Sequence, residues 1–72
     1  GMTRKELELH AQLSDSSRKI LEQAMTKMGL SARAYDRILK VARTLADLAE
    51  QQNVETLHVA EAIQYRNLDR PI

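Results

Sequence analysis

The sequence predicts an all-α fold, a small four-helix bundle, and three observations point to it. Aliphatic residues recur at helical spacing along most of the chain. A cap-forming hydroxyl residue, Thr3, Ser14, Ser31 or Thr56, precedes each of four such stretches. Phe, Trp and Cys are absent and Tyr occurs twice, so the core must be built from Leu, Ile, Val, Ala and Met, a helix-bundle palette.

Thr3 followed by Glu6 reads as a capping box that starts a first helix carrying Leu7, Leu9 and Ala11 and weakening near Leu13. Ser14 caps a second helix over Asp15 to Met28, with Ile20, Leu21, Ala24, Met25 and Met28 on one face. Gly29 ends it in the left-handed conformation that glycine adopts without steric cost. Ser31 caps the third helix, and Leu30 before it can staple onto Tyr35. This helix should run to about Gln51 and bury Tyr35, Ile38, Leu39, Ala42, Leu45, Ala46 and Ala49. Gln51-Gln52-Asn53 is turn material, and Val54 is an extended residue that plugs the core. Thr56 then caps a fourth helix over Leu57 to Arg66, with Val59, Ala60 and Ile63 inward, and Pro71 belongs to a frayed tail.

Residues 3–72 form one domain in this reading, and residues 1–2 are a start, Gly1 before Met2 having the look of a cloning remnant. At 72 residues the core is marginal, because so short a chain buries only about 60% of the surface it exposes when unfolded. Eleven basic against ten acidic residues give a net charge of +1, so no global field draws the chain to nucleic acid or anionic lipid. Any basic function must be local. No apolar run approaches the roughly 20 residues a membrane span needs, and no leader precedes the first helix, so the expected setting is cytoplasmic, without a membrane partner. No metal site is expected: His10 and His58 are isolated, there is no thiolate, and both histidines read as surface residues. The methionines read as core filler.

The chemistry concentrates on the third helix. At about 100° per residue, Arg33, Arg37, Lys40 and Thr44 fall within about 60° of one another, opposite the apolar stripe. Asp36 can pair with Lys40 and Asp47 with Arg43, so Arg37, Lys40 and Arg43 read first as a solvated face. Arg33 differs. It lies in the first turn, where the peptide dipoles already make the potential positive, and its neighbour four residues on is another arginine. A solvated arginine and a phosphate receptor both remain open for it, since a guanidinium beside free N–H groups binds phosphate oxygens in a fork. No phosphate-binding loop and no Ser-His or Cys-His arrangement is present, so this chain is not expected to catalyse a reaction alone.

The run Leu30-Ser31-Ala32-Arg33-Ala34-Tyr35, continuing through Arg37-Ile38-Leu39-Lys40-Val41-Ala42-Arg43-Thr44-Leu45-Ala46-Asp47-Leu48, and the later Val59-Ala60-Glu61-Ala62-Ile63-Gln64-Tyr65-Arg66 carry a resemblance. Together with Leu21-Glu22-Gln23-Ala24-Met25 before Gly29, they resemble the C-terminal domain of magnesium-chelatase-like AAA+ ATPases, the ComM/YifB branch, over Met2 to Leu68. The resemblance implies a lid, the helical subdomain beside a nucleotide-binding core. Arg33 then matches the sensor-two arginine that touches the γ-phosphate of ATP, with Arg37 and Lys40 as secondary basic contacts. ATP and Mg²⁺ are implied as cofactors of the full-length parent, not of this chain. The implied partners are the AAA+ core of the same or a neighbouring subunit, within a ring oligomer. The parent is implied to be either a DNA branch-migration motor or a subunit inserting magnesium into a porphyrin. The pattern departs at Asp36, where histidine is frequent, and at Glu50, where glycine is frequent; the second departure implies a less abrupt end to the third helix.

Two other function classes compete on residues alone. One is a helix-turn-helix DNA-binding module reading with Ser31 to Gln51, which the near-zero charge and wide buried stripe disfavour. The other is a helical protein-interaction domain using Val41 and Leu48 on the flank of the third helix.

Overall fold

A computed structural model describes residues 3–68, so the expectations for Gly1, Met2 and Pro71 lie outside the described residues. Four helices follow in order: α1 (Arg4–Ala11), α2 (Asp15–Met28), α3 (Ala32–Leu48) and α4 (Thr56–Leu68). α3 is central, packed against α4 on one side and α1 on another, while α4 also meets α2. The expected stripe on α3 supplies the core through Tyr35, Ile38, Leu39, Ala42 and Ala46, to which α2 adds Leu21 and α4 adds Val59 and Ala62. Burying a side chain such as Leu21 or Ile38 contributes about 1.5–3 kcal/mol each. Ala42 and Ala46, fully buried and small, let neighbouring backbone approach α3 closely.

The helix starts follow the hydroxyl residues with one exception. Thr3 and Glu6 form the expected capping box, the Glu6 N–H donating to Thr3 Oγ1 at 3.2 Å. Ser14 accepts from the Ser17 N–H at 3.2 Å and Ser31 from the Ala34 N–H at 3.1 Å. At α4 the expected cap, Thr56, is instead the first helical residue. The His58 N–H donates to the Glu55 carbonyl at 3.0 Å, and the Glu55 N–H donates to His58 Nδ1 at 2.9 Å. The imidazole thus takes the part that the Glu6 carboxylate takes at α1, reaching back to the N–H before the helix, which corrects the surface reading of His58: its side chain turns inward and the residue is only 2% exposed. His10 is exposed. The same rotation of α4 places Ala62 in the core and leaves Ala60, expected inward, exposed.

Three helix ends use one device. Gln12, Gly29 and Glu50 adopt positive φ of 61°, 59° and 58°, and the N–H of the residue after each reaches back to the last-turn carbonyl of Glu8, Met25 or Ala46. Only Gly29 does this without a Cβ. The left-handed turn at Glu50 stops α3 at Leu48, short of the expected Gln51, and it overturns the less abrupt end expected from the absence of glycine there. Ala49 is consequently exposed, and Leu45 only partly buried.

Val54 plugs the core as the sequence suggests, fully buried and in an isolated parallel bridge with Leu13. Its N–H donates to the Gln12 carbonyl at 2.9 Å, and its own carbonyl accepts from the Ser14 N–H at 3.1 Å and from Ser17 Oγ at 2.8 Å. The buried hydroxyl of Ser17 is thereby satisfied, and the loop between α3 and α4 is tied to the start of α2.

Candidate functional site

The first turn of α1 carries Glu6 and that of α2 carries Asp15, as helix dipoles favour; the first turn of α3 has no acid and presents Arg33. Ser31 Oγ takes the Ala34 N–H, and the N–H groups of Ala32 and Arg33 have no partner among the described residues. The Arg33 side chain is exposed and makes no hydrogen bond or ion pair with any described residue. Two dipolar donors and one uncompensated guanidinium therefore face the same solvent. This arrangement favours an anion and, by geometry, a phosphate or carboxylate able to take the guanidinium fork.

Arg37, one turn along, is likewise exposed and unpaired among the described residues. Lys40 is held by Asp36, Nζ to Oδ2 at 3.1 Å. Asp36 therefore spends its charge on Lys40 and leaves Arg33 uncompensated. Thr44 donates its hydroxyl to the Lys40 carbonyl of its own helix at 3.0 Å and adds nothing outward.

Arg43 does not belong to the solvated face. Its pair with Asp47 is present, Nη2 to Oδ1 at 2.6 Å, but the same guanidinium crosses to other elements. Nη1 donates to the Ala11 carbonyl at 2.8 Å and the Gln52 carbonyl at 2.9 Å, and Nη2 donates to the Gln51 carbonyl at 3.0 Å. The left-handed turns at Gln12 and Glu50 bring these carbonyls together, and a sequence carries no sign of that convergence.

Glu8 was also missed. It is buried, and Tyr35 Oη donates to its Oε2 at 2.6 Å, tying α1 to the helix turn that carries Arg33. The signal was its place between Leu7 and Ala11 on the inward face of α1; Leu9, one residue on, is 71% exposed. Of the flank expected to be apolar and open, Leu48 is exposed while Val41 packs partly on the core. Among the described residues no group of three His, Asp or Glu side chains could hold a metal ion, and no helix is long and apolar enough to cross a membrane.

Comparison with known proteins bears on this geometry. Residues 1–66 match the family described as magnesium chelatase, subunit ChlI C-terminal. Competence protein ComM of Haemophilus influenzae is 50% identical over 66 residues, covering 92% of this chain and 13% of that protein. The uncharacterized protein YifB of Salmonella typhimurium is 38% identical over the same coverage, and YifB of Escherichia coli is 46% identical over 50 residues, 69% of this chain and 10% of that protein. No solved structure gives a significant match.

Proposed function

Because this chain belongs to the family of C-terminal domains of magnesium chelatase subunit ChlI, we propose that it is the lid of an AAA+ ATPase and supplies Arg33 to an ATP site. The observation that carries this reading is a first-turn arginine with no counter-charge among the described residues, beside two free N–H groups. The nucleotide belongs to a core that is not part of these 72 residues, on the same or a neighbouring subunit of a ring. Arg33 meets the γ-phosphate of Mg²⁺-bound ATP, where a guanidinium neutralises charge that develops during phosphoryl transfer. Arg37 extends the positive face along α3 and attracts the nucleotide at longer range, whereas Lys40, its charge balanced by Asp36, is a secondary contact only where that pair opens. Since Tyr35 is bound to Glu8, a pull on Arg33 is transmitted to α1, and the lid turns as a body. Identity to a protein named for competence supports a parent that works on DNA over one that inserts magnesium into a porphyrin.

The test is Arg33→Ala in the full-length parent, with steady-state ATP turnover as the readout. Turnover should fall at least tenfold, equivalent to about 1.4 kcal/mol of transition-state stabilisation. Unchanged hydrolysis removes Arg33 from the mechanism.

A further inference from the structure

We propose that the groove between α1 and α2 is the surface on which the domain preceding this one in the same polypeptide docks. The groove encloses about 710 Å³ and is walled by Thr3, Lys5 and Leu9 from the α1 side, Leu13 from the connection, and Asp15 and Arg18 from the α2 side. α1 is turned so that a carboxylate, Glu8, is buried while its neighbour Leu9 stands 71% exposed in this groove. Leu9 therefore does little for the fold of this chain, and an aliphatic side chain presented to a groove is suited to a contact outside it.

The occupant follows from position and charge. This chain spans 13% of its first two relatives and belongs to a C-terminal family, so in them most of the polypeptide comes before it. That polypeptide leads into the start of α1, whose cap, Thr3, lies in the wall of the groove. A domain tethered at the mouth of a groove is present at an effective concentration of about millimolar, so a modest apolar contact suffices to seat it. Lys5 and Asp15 have no ion partner among the described residues, whereas Arg18 and Glu22 satisfy each other at 3.2 Å. Glu8, also in the wall, is hydrogen-bonded to Tyr35 but has no ion partner among the described residues, so one cation and two carboxylates remain to complement a protein surface of mixed charge; nucleic acid or an anionic membrane would require positive charge throughout.

The inference rests on the family assignment and not on Arg33, so it is tested by accessibility and not by turnover. The chain has no cysteine, and Leu9→Cys therefore introduces a unique thiol in the 72-residue protein. Its maleimide labelling rate, resolved by peptide mass, is compared between this protein and the full-length parent. Labelling should be at least tenfold slower in the parent, with Lys5→Cys following the same pattern and serving if the Leu9 variant does not fold. Equal rates in the two proteins overturn the proposal, as does slowing at Leu48→Cys without slowing at Leu9→Cys. Slow labelling already in the 72-residue protein, together with a dimer in sedimentation that Leu9→Glu dissolves, makes a second copy the occupant and overturns it as well. Tenfold loss of turnover in Arg33→Ala with free labelling at Leu9→Cys sinks the groove and leaves the lid; the converse result sinks Arg33 and leaves the groove.

Discussion

Arg33 and Arg43 stand ten residues apart on one helix and do opposite things. Arg43 sits beside the last carbonyl of α1, Ala11, where the dipole makes the potential negative, and every nitrogen of its guanidinium donates to a described residue. Arg33 sits at the positive start of α3 and donates to none. The side chain of Arg43 is 23% exposed and that of its partner Asp47 is 64% exposed, so the ion pair itself contributes little; the bonds to carbonyls hold the end of α1 against the α3–α4 loop. The same residue type thus works for the fold at one pole and stays available to an outside anion at the other. Spacing to a nearby acid marks the two apart, Asp47 standing four residues after Arg43 and another arginine four after Arg33, but it does not reveal the bonds to carbonyls. The sign of the backbone field around each guanidinium accounts for those.

The sharpest way to break this contrast is Arg43→Ala. Leaving the Ala11, Gln51 and Gln52 carbonyls without their shared donor should cost about 2–3 kcal/mol of stability in urea denaturation, and Arg43→Lys should recover less than half, because an ammonium cannot span the carbonyls. A loss below about 0.5 kcal/mol would reduce Arg43 to an ordinary surface residue. Next in size is Glu50→Gly, which removes a Cβ from a left-handed position and should stabilise by about 0.5–1 kcal/mol, read as a rise in Tm. Destabilisation instead would mean that the Glu50 side chain makes a contact that outweighs its backbone strain. The smallest effect belongs to Arg33→Ala in the isolated domain: a gain of a few tenths of a kcal/mol at low salt, fading as salt rises, because a cation leaves a positive helix start. A clear loss of stability there would give Arg33 a part in the fold and weaken its assignment to a nucleotide.

Much of the fold could be read locally. Thr3, Ser14, Ser31 and Gly29 mark helix ends through bonds made within a turn, so the residues carry the signal themselves. The stripe on α3 was readable for the same reason, down to Ala42 and Ala46. Misreadings are of two kinds. Glu50 takes a glycine conformation, closed by the local bond from Gln51 back to Ala46, with no glycine in the sequence to announce it; His58 is drawn inward by distant partners, where α4 packs on α2 and α3. At the candidate site, Arg33 was legible because its distinguishing feature is the lack of a nearby acid, whereas for Glu8 the sequence offers its place beside Leu7 and Ala11 but not its partner Tyr35, 27 residues away.

What the sequence by itself determined is the helix order, the caps of the first three helices and the central amphipathic stripe, because these depend on interactions spanning four residues or fewer. Only the tertiary structure decided that Arg43 clasps while Arg33 stays free, that Glu8 is inside and Leu9 outside, and that Val54 bridges to Leu13. Each of those outcomes depends on which carbonyl, hydroxyl or groove a second element brings within about 3 Å, and pairing across the chain is fixed by packing, not by local spacing.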